Sequence, residues 1–188
     1  MNTKSRTKIL SKAFPIEGKQ LLTELIILSL LGALAVILRA KLRIPLNMPG
    51  HHGLEVMAIL IGGRMFSKIP VASSVSGIAG ALCIFFPFLG YKDPFLPLIY
   101  VFMGISIDLM YYFAKKLGTN FLVFAIIGGL VYTLIPAIRL FLHSVGAYQY
   151  MLFIKKGFII PFISHFAFGF AGGLAAASLL IFSKRKTK

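Results

Sequence analysis

Residues 21–38 read LLTELIILSLLGALAVIL, eighteen positions with Glu24 as their one charge. A helix rises 1.5 Å per residue and needs about 20 apolar residues to cross a hydrocarbon core of about 30 Å. This run therefore predicts a membrane span. Working outward, five more apolar runs follow: a shorter one at His52–Phe66, then Pro70–Leu89, Phe95–Ala114, Asn120–His143 and Gly157–Ser183. The expected fold is all-α, a single polytopic bundle of six transmembrane helices without internal repeats or a dividing linker.

Composition excludes a soluble domain. The 188 residues are 58% hydrophobic and 13% charged, with 18 Phe, no Trp and a mean hydropathy of +0.89. Soluble domains carry about 25% charged residues, and a core could not hide this much apolar surface from water. The 20 Lys+Arg against 5 Asp+Glu give +15, but the cations sit in clusters between apolar runs. That excludes nucleic acid as the partner and makes a lipid bilayer the surroundings. Cys83 lies alone in an apolar run, so no disulfide forms within the chain.

The clusters also set the topology. Lys4, Arg6, Lys8, Lys12 and Lys19, then Arg64 and Lys68, Lys115 and Lys116, and Lys184, Arg185, Lys186 and Lys188 fall on the side of the termini. Fewer fall opposite: Arg39, Lys41 and Arg43, Lys92, and Lys155 and Lys156. The positive-inside rule puts both termini in the cytoplasm. Residues 1–20 are then a basic tail without the apolar core or cleavage site of a signal peptide, residues 21–183 the membrane domain and residues 184–188 a second basic tail. The loop 39–51 faces outside, where Pro45, Pro49 and Gly50 forbid helix and favour a turning, lid-like backbone.

Ionisable residues inside spans are expensive and face the bundle interior by default. Glu24, Arg64 and His143 lie near span ends and can snorkel to headgroups. The candidate binding residues are Arg39, Asn47, His51, His52, Glu55, Asp108, Arg139 and His165. Asp108, deeper than the rest, is either the floor of a cavity or an internal ion-pair and capping group. Glu55 shares a helix face with His51 at i, i+4 and with His52 at i, i+3. Those three residues could ligate a metal, hydrogen-bond an organic guest, or simply line the interface. Tyr91, Asp93, Tyr100, Tyr148, Gln149 and Tyr150 fall on the same side, as an interfacial belt would. A second set is small: Ser29, Gly32, Ala33, Ser73, Gly77 and Ala81 let another helix approach closely, either within the bundle or on a partner subunit.

With six helices, a lid-like loop between the first two and Ser29-Leu-Leu-Gly-Ala33 on the first, the chain resembles a substrate-binding S component of an energy-coupling factor (ECF) transporter. The family's coupling surface is typically an Ala-xxx-Ala pair on that helix. Asn47-Met-Pro-Gly-His-His-Gly-Leu-Glu-Val-Met-Ala-Ile-Leu-Ile-Gly-Gly-Arg64 resembles S-component-like proteins in which Asn and Pro precede an apolar second helix ending in glycine. The resemblance implies a multi-pass protein of a bacterial or archaeal-type cytoplasmic membrane. It would capture a vitamin-like compound or metal and dock on a membrane coupling subunit driven by two cytoplasmic ATPases. Nickel and cobalt S components carry a Met-His pair at the N-terminus, whereas this chain begins Met1-Asn2-Thr3, which favours an organic guest. No G-x-x-x-x-G-K-[ST] loop occurs, so ATP would be used by the partners and no cofactor is expected in this chain. Two rival readings are an assembly or structural membrane protein without a small ligand, and a lipid-modifying enzyme using Asp108 or His165. No G-x-S-x-G or HExxH motif supports the enzyme.

Overall fold

The computed structural model describes residues 18–42, 48–117, 120–150 and 157–186. Among them every regular element is helical: α1 Gly18–Lys41, α2 Gly53–Phe66, α3 Ala72–Ile84, a 3-10 turn at Pro87–Leu89, α4 Leu96–Leu117, α5 Phe121–Tyr132, α6 Leu134–Ser144 and α7 Ile159–Lys186. The apolar runs located these helices well, since α1 begins at Gly18 against an expected Leu21 and α7 at Ile159 against Gly157.

Four stretches are long and apolar enough to cross a membrane: Gly18–Lys41, Leu96–Lys115, Phe121–Ser144 and Ile159–Leu179. Six spans were expected, the second of them shorter than the rest, and four meet this length. The shortfall lies in α2 and α3, which have 14 and 13 residues and rise only about 20 Å. Pro49 and Gly50 delay the start of α2, and the chain turns at Ser67–Val71 before α3 begins. The third of the four stretches is α5 and α6 in tandem. Pro136 has no N–H to offer the Tyr132 carbonyl four residues before it, so the helix breaks there. At the break Thr133 N–H bonds the Gly129 carbonyl at 3.2 Å and the Thr133 hydroxyl donates to the Leu130 carbonyl at 2.6 Å.

The loop after α1 also differs from its expected bounds of 39–51. Arg39 and Lys41 form the last turn of α1, where cations complement the free carbonyls of a helix C-terminus. Lys41 Nζ donates to the Phe88 carbonyl at 3.2 Å. Asn47 lies outside the described residues, as do residues 1–17.

Two three-helix groups build the bundle, each sewn together at glycines. In the first, α3 lies between α1 and α4. A Cβ on Gly32 would strike the backbone of Ser76, one on Gly77 would come within 2.6 Å of the Tyr100 carbonyl, and one on Gly104 would strike the Ser73 carbonyl. In the second, α7 lies between α2 and α5: Gly128 and Gly169 abut backbone to backbone, Gly173 meets Phe124, and Gly172 meets Gly53 and Leu54. Serines reinforce the packing, Ser76 Oγ donating to the Leu28 carbonyl within the first group at 2.8 Å and Ser73 Oγ to the Leu60 carbonyl of α2, in the second, at 3.2 Å.

This seam corrects part of the docking expectation. Gly32, Ser73, Gly77 and Ala81 are buried inside the bundle, so their small size serves packing between α1, α3 and α4. Ser29 and Ala33 remain partly exposed. They share α1 with Leu22, Ile26, Leu30 and Leu34, all exposed.

Candidate functional site

The helices alternate in direction, so two ends can be distinguished: an upper end, where α1, α3 and α6 finish, and a lower end, where they or their spans begin. The polar side chains of the interior gather at both, and the two gatherings differ in kind.

At the lower end Asp108 of α4 receives the start of α3. Ser73 N–H donates to Oδ1 at 3.1 Å, and Ser74 N–H and Oγ donate to Oδ2, each at 2.7 Å. The first N–H groups of a helix have no partner within it, and a carboxylate there satisfies them and opposes the dipole. Arg64 of α2 completes the arrangement: its Nε lies 3.2 Å from Asp108 Oδ1, its Nη1 donates to the Ile69 carbonyl at 2.8 Å, and its Cζ sits 4.1 Å from the Tyr111 ring centre. Asp108 therefore stands apart from the other candidate binding residues and acts as a cap. Beside it, Glu24 Oε2 accepts from Ser67 Oγ at 2.6 Å and Lys68 N–H at 3.1 Å, holding the α2–α3 turn. Above Glu24 an apolar groove of 440 Å³ opens between α1, α2 and α7, lined by Leu28, Leu31, Ile59, Gly62 and Leu179 among others.

At the upper end the chain brings Arg39, His52, Glu55, Arg139 and His165 together with aromatic side chains. Arg139 is fully engaged. Its Nε and Nη2 donate to Asp93 Oδ2 at 3.0 and 2.7 Å, while Asp93 Oδ1 accepts from Tyr150 Oη and from Phe95 N–H. Arg139 was expected to hold ligand; in the structure its Nε and Nη2 tie Asp93, and through it Tyr150, to α6. Burial, with the Asp93 carboxylate beside it, pushes the Tyr150 phenol above its usual range, so it stays a neutral donor.

Arg39 is differently placed. Its Nη1 donates to Tyr100 Oη at a long 3.4 Å, and its Cζ lies 5.7 Å from the centre of that fully buried ring. Among the described residues it forms no ion pair, the three pairs being His52–Glu55, Arg64–Asp108 and Arg139–Asp93. Tyr91 Oη donates to the Val36 carbonyl at 2.8 Å.

Glu55 stands in the first turn of α2, where the helix dipole favours an anion. His52 Nδ1 bonds Oε1 at 2.5 Å, while Oε2 is buried and has no hydrogen-bond partner. His51 is not bonded to Glu55: its Nδ1 lies 2.8 Å from the Met48 carbonyl and its ring centre 4.0 Å from that of His52. Among the described residues no group of three His, Cys, Asp or Glu could hold a metal ion, so His51, His52 and Glu55 are not assembled as ligands.

His165 closes the cluster from α7. Its Nδ1 faces the Pro161 carbonyl at 2.7 Å and must be the protonated nitrogen, which leaves Nε2 as an acceptor in the neutral ring. The ring stacks on Tyr132, with centres 5.2 Å apart. The segment entering α2 covers both: a Cβ on Gly50 would sit 2.7 Å from the His165 ring, and one on Gly53 would sit 2.5 Å from the Tyr132 ring. Gly50 has φ +80°, a left-handed conformation that glycine alone adopts without strain.

Tyr132 was missed in the sequence, and Tyr91, Asp93 and Tyr100 were read as belt. The available signal was Pro136, whose kink four residues on sets the Tyr132 ring at the top of α5. Comparison of the chain with protein-family models, with curated proteins and with solved structures finds no match in any of the three.

Proposed function

We propose that this protein is the substrate-capture subunit of an ECF-type importer. In this reading α2 and α3 complete a six-helix membrane domain with both termini in the cytoplasm, and the upper end faces outside. A small organic molecule binds there beneath the segment that enters α2, and the bundle docks through α1 on a membrane coupling subunit that two ATPases drive.

The observation that carries the reading is the buried Glu55 Oε2 without a partner, on the opposite three-helix group from an Arg39 that has no carboxylate partner among the described residues. A buried polar group left unsatisfied costs about 1–3 kcal/mol and a charged one more, so such groups mark places where another molecule completes the bonding. The docking face is supported by α1, whose apolar window is 22% buried within the bundle against 50% for Phe121–Ser144.

Affinity purification of the tagged full chain from membranes of cells that produce it tests the assembly. A membrane subunit and two ATPases are expected to co-purify, and replacing Ser29 and Ala33 together by Leu is expected to release them. A chain that purifies alone from gently solubilised membranes would overturn the importer reading.

A further inference from the structure

We infer that the guest at the upper end is an ampholyte: a small organic molecule that presents an oxyanion to Arg39 and a protonated or N–H-bearing nitrogen to Glu55. The inference rests on the capture reading and names the chemistry of what is captured.

The argument begins with a charge inventory. Two of the three interior guanidiniums, Arg64 and Arg139, are matched to Asp108 and Asp93 at 3.2 and 2.7 Å. The groups left over have opposite sign. Arg39 has a single long hydrogen bond to a neutral phenol, and Glu55 has one oxygen on His52 and the other on nothing. Arg39 lies in the last turn of α1 and Glu55 in the first turn of α2, at the same end of two adjoining helices, yet they do not form an ion pair with each other. Instead Arg39 is held by Tyr100 and Glu55 by His52, and each keeps bonding capacity free.

A guest with only an anion would satisfy Arg39 and leave the Glu55 oxygen buried and bare; a guest with only a cation would do the reverse. Only a molecule with both removes both penalties. Planar guanidinium and oxyanion match in two parallel hydrogen bonds, the stronger kind of charged contact. A bare metal cation fits poorly, because it would add positive charge at the end of the bundle where Arg39 has no carboxylate partner among the described residues.

The test uses the full chain in lipid nanodiscs and the small-molecule fraction of yeast extract as the probe. Compounds that remain with the protein through rapid gel filtration are released and identified by mass spectrometry. Wild type is compared with Arg39→Gln, Arg39→Lys and Glu55→Gln. The retained compound is expected to contain both an acidic group and a basic or N–H nitrogen. Its retention should fall at least about tenfold in Arg39→Gln and in Glu55→Gln, with part restored in Arg39→Lys. A retained compound lacking either group overturns the inference and leaves capture standing, as does retention unchanged in both variants. A chain that retains nothing overturns the capture reading itself. Should a variant fail to fold, the composition of the wild-type compound decides.

Discussion

Asp108 and Glu55 are both carboxylates of the helix interior, 9% and 8% exposed, yet their surroundings are opposites. Asp108 accepts three hydrogen bonds from Ser73 and Ser74 and pairs with Arg64. Glu55 has His52 on one oxygen and nothing on the other. Depth alone therefore does not separate a structural acid from a functional one in an apolar bundle. Remaining bonding capacity does. The lower end is a charge-matched network that ties α2, α3 and α4 together; the upper end leaves a carboxylate oxygen unpaired.

The comparison breaks most readily at Asp108. Asp108→Ala would leave the Arg64 charge and the first N–H groups of α3 without partners, a loss of about 3–5 kcal/mol. The expected result is little or no monodisperse protein in detergent, whereas Glu55→Gln should melt within a few degrees of wild type. If Glu55→Gln proves equally damaging, the two ends are alike and the distinction fails. Gly50→Ala comes next. It forces a left-handed φ on alanine and drives a methyl into the His165 ring, for about 1–3 kcal/mol. The lowered unfolding temperature should be accompanied by a change in Tyr132 environment, read by near-UV circular dichroism; an unchanged spectrum would mean that the segment entering α2 does not press on the upper cluster. Ser76→Ala should have the smallest effect. It removes one interhelical hydrogen bond to Leu28, worth about 0.6 kcal/mol in comparable helices, and should shift thermal unfolding barely above error. A large shift would show that polar contacts, not glycine seams, hold α1 to α3.

Much of the fold was legible because long apolar runs bounded by basic clusters and prolines admit few readings. The start of α7 and the last turn of α1 emerge within three residues of expectation for that reason. What could not be read were pairings distant in sequence. Small residues at i, i+4 announce that a helix approaches, but Gly32 does not say that the helix is α3. Asp108 offered two readings, and the deciding partners lie some 35 residues earlier, at Ser73 and Ser74. Arg139 looked available because Asp93, its partner across 46 positions, was weighed separately as part of a belt. The shortness of α2 showed in its run, whereas that of α3 was masked by the apolar residues of the turns beside it. At the site, Glu55 and His165 were recognisable as costly residues, while the identity of the bare oxygen needed coordinates.

The glycine seams carry a mechanical consequence. Within each trio the backbones touch, so neither trio can deform without lifting main chain from main chain. Arg39 rides on one trio and Glu55 on the other. A molecule grasped by both would clasp two stiff wedges across their shared boundary, and occupancy would then register far from the binding residues, as a bundle that resists prying apart.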